Sequence, residues 1–150
     1  MTCIRLSHQV HASPEEVFDF ADNNENYPEF FQGFGKVHWT TPRHRVGTSL
    51  KMEARLAGAV VPVEVKTTEV VPGQRISGVF VSGLEGHLDW EFARDEDTTW
   101  ITVSADYQLP AQATVQASER AAMDHAFCSS MLNALAAMKR MVEEGKKKAA

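Results

Sequence analysis

Residues Ser13–Phe31 read SPEEVFDFADNNENYPEFF, and the rest of the chain is best understood outward from them. Ser13 offers a capping oxygen, Pro14 suits the first helical position, and Glu16 stands three residues after the cap. This is a capping box with proline where its missing N–H costs nothing, so a helix starts here. Val17, Phe18, Phe20 and Ala21 give it an apolar side. Asn23, Asn24 and Asn26 then interrupt the pattern, because short amide side chains compete for backbone hydrogen bonds. A second short helix is expected over Tyr27–Phe31, ended by Gly33 and Gly35. Phe20, Tyr27, Phe30 and Phe31 crowd aromatic surface onto two short pieces bent at Asn23–Asn26, which suggests a stopper that seats in something concave.

The flanking sequence supplies the concavity. Residues 2–11 alternate, with Ile4, Leu6, His8 and Val10 on one face, which is a strand with one polar intruder. Lys36–Thr41 places Val37 and Trp39 together. Thr48, Leu50, Met52, Ala54 and Leu56 alternate cleanly with Ser49, Lys51, Glu53 and Arg55. After Gly58, Val61, Val63, Val65 and Thr67 share a face, and Pro72-Gly73 marks a turn. Strands follow over Arg75–Ser82, then with Leu88, Trp90 and Phe92 aligned, then with Ile101, Val103, Ala105, Tyr107 and Leu109 aligned. Gly83 to Gly86 and the acidic Asp95-Glu96-Asp97 punctuate them. Seven strands with hairpin-length links predict a strongly twisted antiparallel sheet.

Beyond Pro110 the period changes. Residues 114–144 hold neither proline nor glycine, and Val115, Ala122, Ala126, Phe127, Met131, Leu135, Met138 and Val142 recur at helical steps. One amphipathic helix of roughly 45 Å is expected at 1.5 Å per residue. Gly145 is expected to stop it, leaving residues 146–150 as a frayed tail after a single domain of residues 1–145. A helix about 10 Å across cannot fill the trough of so large a curled sheet. The expected fold is therefore α+β, a curved seven-stranded antiparallel sheet wrapped around a long C-terminal helix, with two short helices closing one end. An apolar internal cavity should remain.

Composition narrows the partners. The 150 residues carry a formal charge of −5 and a pI near 5.6, and the only dense cationic run is Lys146–Lys148, which argues against nucleic acid. No apolar run approaches the length of a membrane span, so no stable membrane insertion and a cytoplasmic location are expected. Cys3 and Cys128 fit no metal spacing and are expected as two buried free thiols. The chain should be a monomer or homodimer without cofactor or metal.

Three segments carry a family resemblance: VHASPEEVFDF (Val10–Phe20), NYPEF (Asn26–Phe30) and EVVPGQRI (Glu69–Ile76). With WEF (Trp90–Phe92) and the terminal helix, the whole chain resembles the START/Bet v 1-like (SRPBCC, helix-grip) superfamily. More narrowly, it is similar to polyketide cyclase/dehydrase and lipid-transport proteins. The resemblance implies a ligand held between sheet and C-terminal helix, such as a lipid, isoprenoid or polyketide. Only some members catalyse a reaction, so the family pattern specifies the fold and leaves the chemistry open.

Site candidates follow from this frame. Phe20, Tyr27, Phe30, Phe31, Met52, Trp90, Tyr107, Phe127, Met131, Leu135 and Met138 are the expected ligand-lining residues. The methionines suit a wall facing an apolar guest, and equally suit an ordinary core. His8 and Tyr107 sit on apolar strand faces, as satisfied core groups or as polar handles for acid/base chemistry. His87 and Asp89 share a strand face that reads as solvated, and Asp124 and His125 diverge on the helix. Arg55 belongs to a polar face, and Arg75 follows the Pro-Gly turn. The readings are a carrier of a small hydrophobic ligand, a polyketide cyclase, dehydratase or aromatase in the same cavity, or a protein-interaction module.

Overall fold

Alternation along the strands decides which face of the sheet is dry. A computed structural model describes residues 2–31, 34–109 and 116–149, the last four as backbone alone. The chain runs β1 (Thr2–Val10), α1 (Pro14–Asp22), a 3-10 turn (Asn24–Asn26), α2 (Tyr27–Phe30), β2 (Phe34–Trp39) and β3 (Ser49–Leu56). It continues through β4 (Ala59–Val71), β5 (Arg75–Ser82), β6 (Glu85–Asp95), β7 (Thr98–Gln108) and α3 (Ala117–Ala149). Gly33, Pro110 and Val115 lie outside the described residues.

The strands form one antiparallel sheet in the order β1-β7-β6-β5-β4-β3-β2. Thr48, Leu50, Met52, Ala54 and Leu56 are all buried, as are Ile101, Val103, Ala105 and Tyr107, so the predicted faces are the inward ones. Ala57 (φ 53°) and Gly58 (φ 87°) form a two-residue link with both φ positive, the geometry that matches strand twist. At Gly86 (φ 127°) a Cβ would lie 1.9 Å from the Asp106 carbonyl oxygen, so only glycine lets β6 approach β7 there. β4 carries register shifts at Glu64/Val65 and Thr67/Glu69, and such bulges bend a sheet around its contents. The contents are α3, whose Phe127, Met131, Ala134, Leu135, Met138 and Val142 are buried.

Three local expectations differ from the structure. α3 does not stop at Gly145 but runs on to Ala149, because Gly145 keeps a helical backbone rather than the left-handed one of a glycine cap. A helical glycine costs about 1 kcal/mol relative to alanine, too little to end a helix. Cys3 is exposed rather than buried, since it takes the outward phase of β1, while Cys128 is part-buried and both thiols are free. The asparagine run is an ordered 3-10 turn rather than a simple bend.

Each asparagine has its own task. Asn23 Oδ1 accepts from the Glu25 N–H, Asn24 Nδ2 donates to the Thr41 carbonyl, and Asn26 Nδ2 donates to the Phe20 carbonyl. The Asn24 N–H also donates to the Pro42 carbonyl, and Asn23 pairs with Arg43 in an isolated bridge. Arg43 Nη1 reaches both the Asp19 carbonyl and its carboxylate. The helical segment is thus fastened to the β2–β3 connection by backbone-directed hydrogen bonds.

Candidate functional site

Where the sheet curls away from α3, the side chains leave a gap. Its floor is Leu50 and Met52 of β3, Val63, Val65 and Thr67 of β4, Ile76, Ser77, Gly78 and Phe80 of β5, and Leu88 and Trp90 of β6. Phe127 and Met131 of α3 cover it, and Tyr27, Phe31, Phe34 and His44 close one end. The cavity volume is about 40 Å³. That holds a few waters, whereas small-molecule pockets run from roughly 300 to 1,000 Å³. The trough that α3 alone cannot fill is therefore mostly occupied, and aromatic side chains occupy much of it.

Those aromatics form a connected series. Phe20 meets Phe30 at 5.6 Å between ring centroids, Tyr27 meets Phe30 at 4.7 Å and Phe31 at 5.1 Å, and Phe31 meets Phe34 at 5.0 Å. Phe31 also stands edge-on to Trp90 at 5.9 Å, and Phe34 to Phe127 at 6.0 Å. Tilted and edge-to-face contacts of this kind add to the apolar burial of each ring. Of the predicted lining residues, Tyr27, Phe31, Met52, Trp90, Phe127 and Met131 meet at the cavity. Phe30, Leu135 and Met138 are packed behind its wall, and Phe20 lines a shallow outer groove with Asp19 and Met141.

Tyr107 and His8 stand elsewhere. Tyr107 stacks on Phe127 at 4.5 Å, and its hydroxyl donates to Asp124 Oδ1 at 2.7 Å. Thr2 donates to the other oxygen of that carboxylate at 3.0 Å, so the trio straps β1 and β7 to α3. Burial, then the hydrogen bond and charge of Asp124, push the Tyr107 phenol far above its ordinary range and keep it protonated. His8 is half-buried on the inner side of β1 opposite Ile101 and does not reach the cavity wall. His87 is half exposed on the outer face, with Asp106 at 3.5 Å and Asp89 at 3.9 Å. Arg75 lies on the surface near Glu69 and Glu91, and the exposed Arg55 packs its guanidinium beside Gly35.

The sequence reading missed His44. Its ring is almost completely buried, with Nδ1 at 3.2 Å from the Asp22 carbonyl oxygen and 3.4 Å from Asp22 Oδ1. The Asp22 carboxylate also accepts the His44 N–H at 2.9 Å. A carbonyl only accepts, so the short contact places a proton on Nδ1 and fixes the orientation of the ring. Tyr27 lies beside it at 5.8 Å between centroids, its phenol pushed well above the ordinary range by burial and then by the Asp22 charge. No local signal identified His44, because PRHRVG reads as a polar loop and Asp22 is 22 residues away. Among the described residues no group of three or more His, Cys, Asp or Glu side chains is placed to hold a metal.

The family model described as polyketide cyclase/dehydrase and lipid transport matches residues 1–143. The chain belongs to that family. Searching curated proteins finds none similar enough to match. Among solved structures, the TTHA0849 protein of Thermus thermophilus superposes with a TM-score of 0.81 at 16% identity, covering 96% of this chain and 99% of that one. The ZhuI aromatase/cyclase of a Streptomyces species gives 0.82 at 13% identity over 95% and 93% of the two chains. A START superfamily protein of Mycobacterium smegmatis gives 0.72 at 13% over 95% and 97%. At such identities the likeness is one of fold, and the fold is the helix-grip arrangement that the sequence implied.

Proposed function

We propose that this family member binds or carries a small hydrophobic ligand between the sheet and α3. The observation that carries the reading is the wall itself: aliphatic, aromatic and methionine side chains from five strands, α2 and α3 enclose space that the fold leaves unfilled. A guest larger than a few waters requires that space to widen. Met52, Met131 and Phe31 are the side chains suited to give way, since thioethers repack at low cost and α2 is only four residues long. Exposed large apolar residues among those described, Val46, Val60, Val79, Val81, Trp100 and Leu132, are spread over the loop, three strands and α3. That spread favours a guest inside over a protein partner on one outer face. Native mass spectrometry of protein purified from cell extract is expected to show an apolar adduct. The stripped protein is expected to rebind fluorene, with shifts confined to amides around the cavity. Neither adduct nor rebinding would overturn the reading.

A second reading, an acid/base enzyme in the same cavity, is favoured by His44. An imidazole oriented by Asp22, with the phenol of Tyr27 alongside as a hydrogen-bond donor, is a candidate acid/base group at the cavity end. This moves the catalytic role from His8 and Tyr107 to His44. For any turnover found, His44→Gln should abolish kcat while fluorene binding survives, and His8→Ala should leave kcat unchanged. Full activity in His44→Gln would remove this reading.

A further inference from the structure

We infer that the free edge of β1 is a docking surface for a second copy of this chain, paired strand to strand about a two-fold axis at Leu6. β1 ends the sheet: it bonds β7 on one side, and among the described residues no backbone group of another element bonds its far side. Edge strands are ordinarily guarded against such pairing by bulges, prolines and charges. The opposite edge, β2, is guarded, since its register breaks between Gly35 and His38 and the exposed Lys36 stands in the break at φ 51°. β1 has none of these devices. Its register runs unbroken over nine residues, it holds no proline, and its one charged side chain, Arg5, is drawn toward β7 by donating to Ser104 at 3.2 Å. On the inner face Ile4 and Leu6 are only half-buried, whereas their partners Ala105 and Val103 are each 1% exposed.

α3 flanks that edge and carries the other half of the surface. Thr2 Oγ1 donates to Asp124 at one end of β1, and the His11 N–H donates to Glu143 just past the other. Nine strand steps span about 30 Å and nineteen helix steps about 28 Å, so strand and helix run side by side. Leu132, eight steps along the helix, is therefore level with Leu6, four steps along the strand. At about 100° per residue it lies about 80° round from Asp124 and about 20° from Glu143, within the sector that faces β1. It is 43% exposed, and no other large apolar side chain of α3, among those described, is so open. A two-fold axis at Leu6 makes these features self-complementary. It sets Leu6 against Leu6, Leu132 against Leu132, Arg5 against the uncharged Ser7 and Cys3 against Gln9, so no like charges meet across the strands. Asp124 comes level with the second copy's Arg140, an acid with a base. An unrelated strand would satisfy the backbone alone, whereas a second copy also covers Leu132.

Sedimentation equilibrium of the reduced wild-type chain at upper-micromolar concentration is expected to give twice the 16.7 kDa of one chain. Leu132→Glu brings two carboxylates together at the axis and should sediment as a monomer, with an unchanged far-ultraviolet spectrum because the site is exposed. Gln9→Cys uses the exposed native Cys3 to read the register. The two thiols of one chain then stand about 20 Å apart along β1, too far for a disulfide within it. Mild oxidation should therefore yield a covalent dimer, which peptide mapping shows to be joined between Cys3 of one copy and position 9 of the other. A monomeric wild type overturns the proposal, as does a Leu132→Glu dimer as tight as that of the wild type. A covalent dimer joined from Cys3 to Cys3 overturns the two-fold register and the proposal with it. If Gln9→Cys does not fold, the wild-type mass and its loss in Leu132→Glu decide the matter alone.

Discussion

Met131→Ala and Met138→Ala remove the same atoms from two positions of one helix that are 1% and 0% exposed. Truncating a buried methionine costs about 2–5 kcal/mol, the spread reflecting how many contacts are lost and how far the site collapses. Met138 is enclosed by packed core, so its loss belongs near the top of that range, about 4 kcal/mol. Met131 borders the 40 Å³ cavity, where part of its side chain already lacks neighbours. It forfeits fewer contacts, and about 2 kcal/mol is expected. Urea unfolding reads the difference: at a slope of about 2 kcal/mol/M the two midpoints should lie about 1 M apart with equal slopes. Fluorene at one hundred times its dissociation constant should return about 2.7 kcal/mol to Met131→Ala, whose cavity has grown. An equal or larger loss at Met131, with no stabilisation by fluorene, would refute the claim that this wall is incompletely packed.

Gly78→Ala is expected to cost about 1–3 kcal/mol and to weaken fluorene binding, because its Cβ would lie 2.7 Å from Val65 Cγ1 on the cavity floor. Circular-dichroism melts and a fluorene titration check both effects. Tyr107→Phe should cost about 1–3 kcal/mol at neutral pH, since Asp124 loses the donor at 2.7 Å. The Tyr107 pKa is raised in the fold, so its stabilisation is fully present below the unfolded phenol's value near 10 and is lost as pH climbs above it. Chemical denaturation from pH 8 to 11 should therefore show a steeper decline in the wild type than in Tyr107→Phe. Asn24→Ala removes the donor to the Thr41 carbonyl and should cost about 1–3 kcal/mol. Hydrogen exchange is expected to accelerate at residues 20–31 while β6 and β7 stay protected.

The fold was legible because it rests on local periodicity. Leu50, Met52, Ala54 and Leu56 alternate in sequence and are all buried, and Ser13 caps α1 by accepting from the Glu16 N–H as its motif indicated. The errors of element type came where a weak local preference met a tertiary environment. Gly145 lacks the left-handed backbone that would make it a stop, and Cys3 faces outward because strand phase, not side-chain polarity, sets its direction.

The lining of the candidate cavity was legible only in part. Tyr27, Phe31, Met52, Trp90, Phe127 and Met131 could be named because each lies on a face whose period points inward, and inward faces of a curled sheet converge. His44 could not, since its burial depends on Asn24, Arg43 and Asp22 drawing a polar loop over the cavity end. By itself the sequence determined the strand faces, the helix starts and the need for a concave sheet around one long helix, because 2.0- and 3.6-residue periods and capping chemistry are local. Only the tertiary structure decided how much of the trough stays empty and which polar atoms meet there. Those depend on contacts between residues distant in the chain, where a single ring turned inward fills what a backbone argument leaves open.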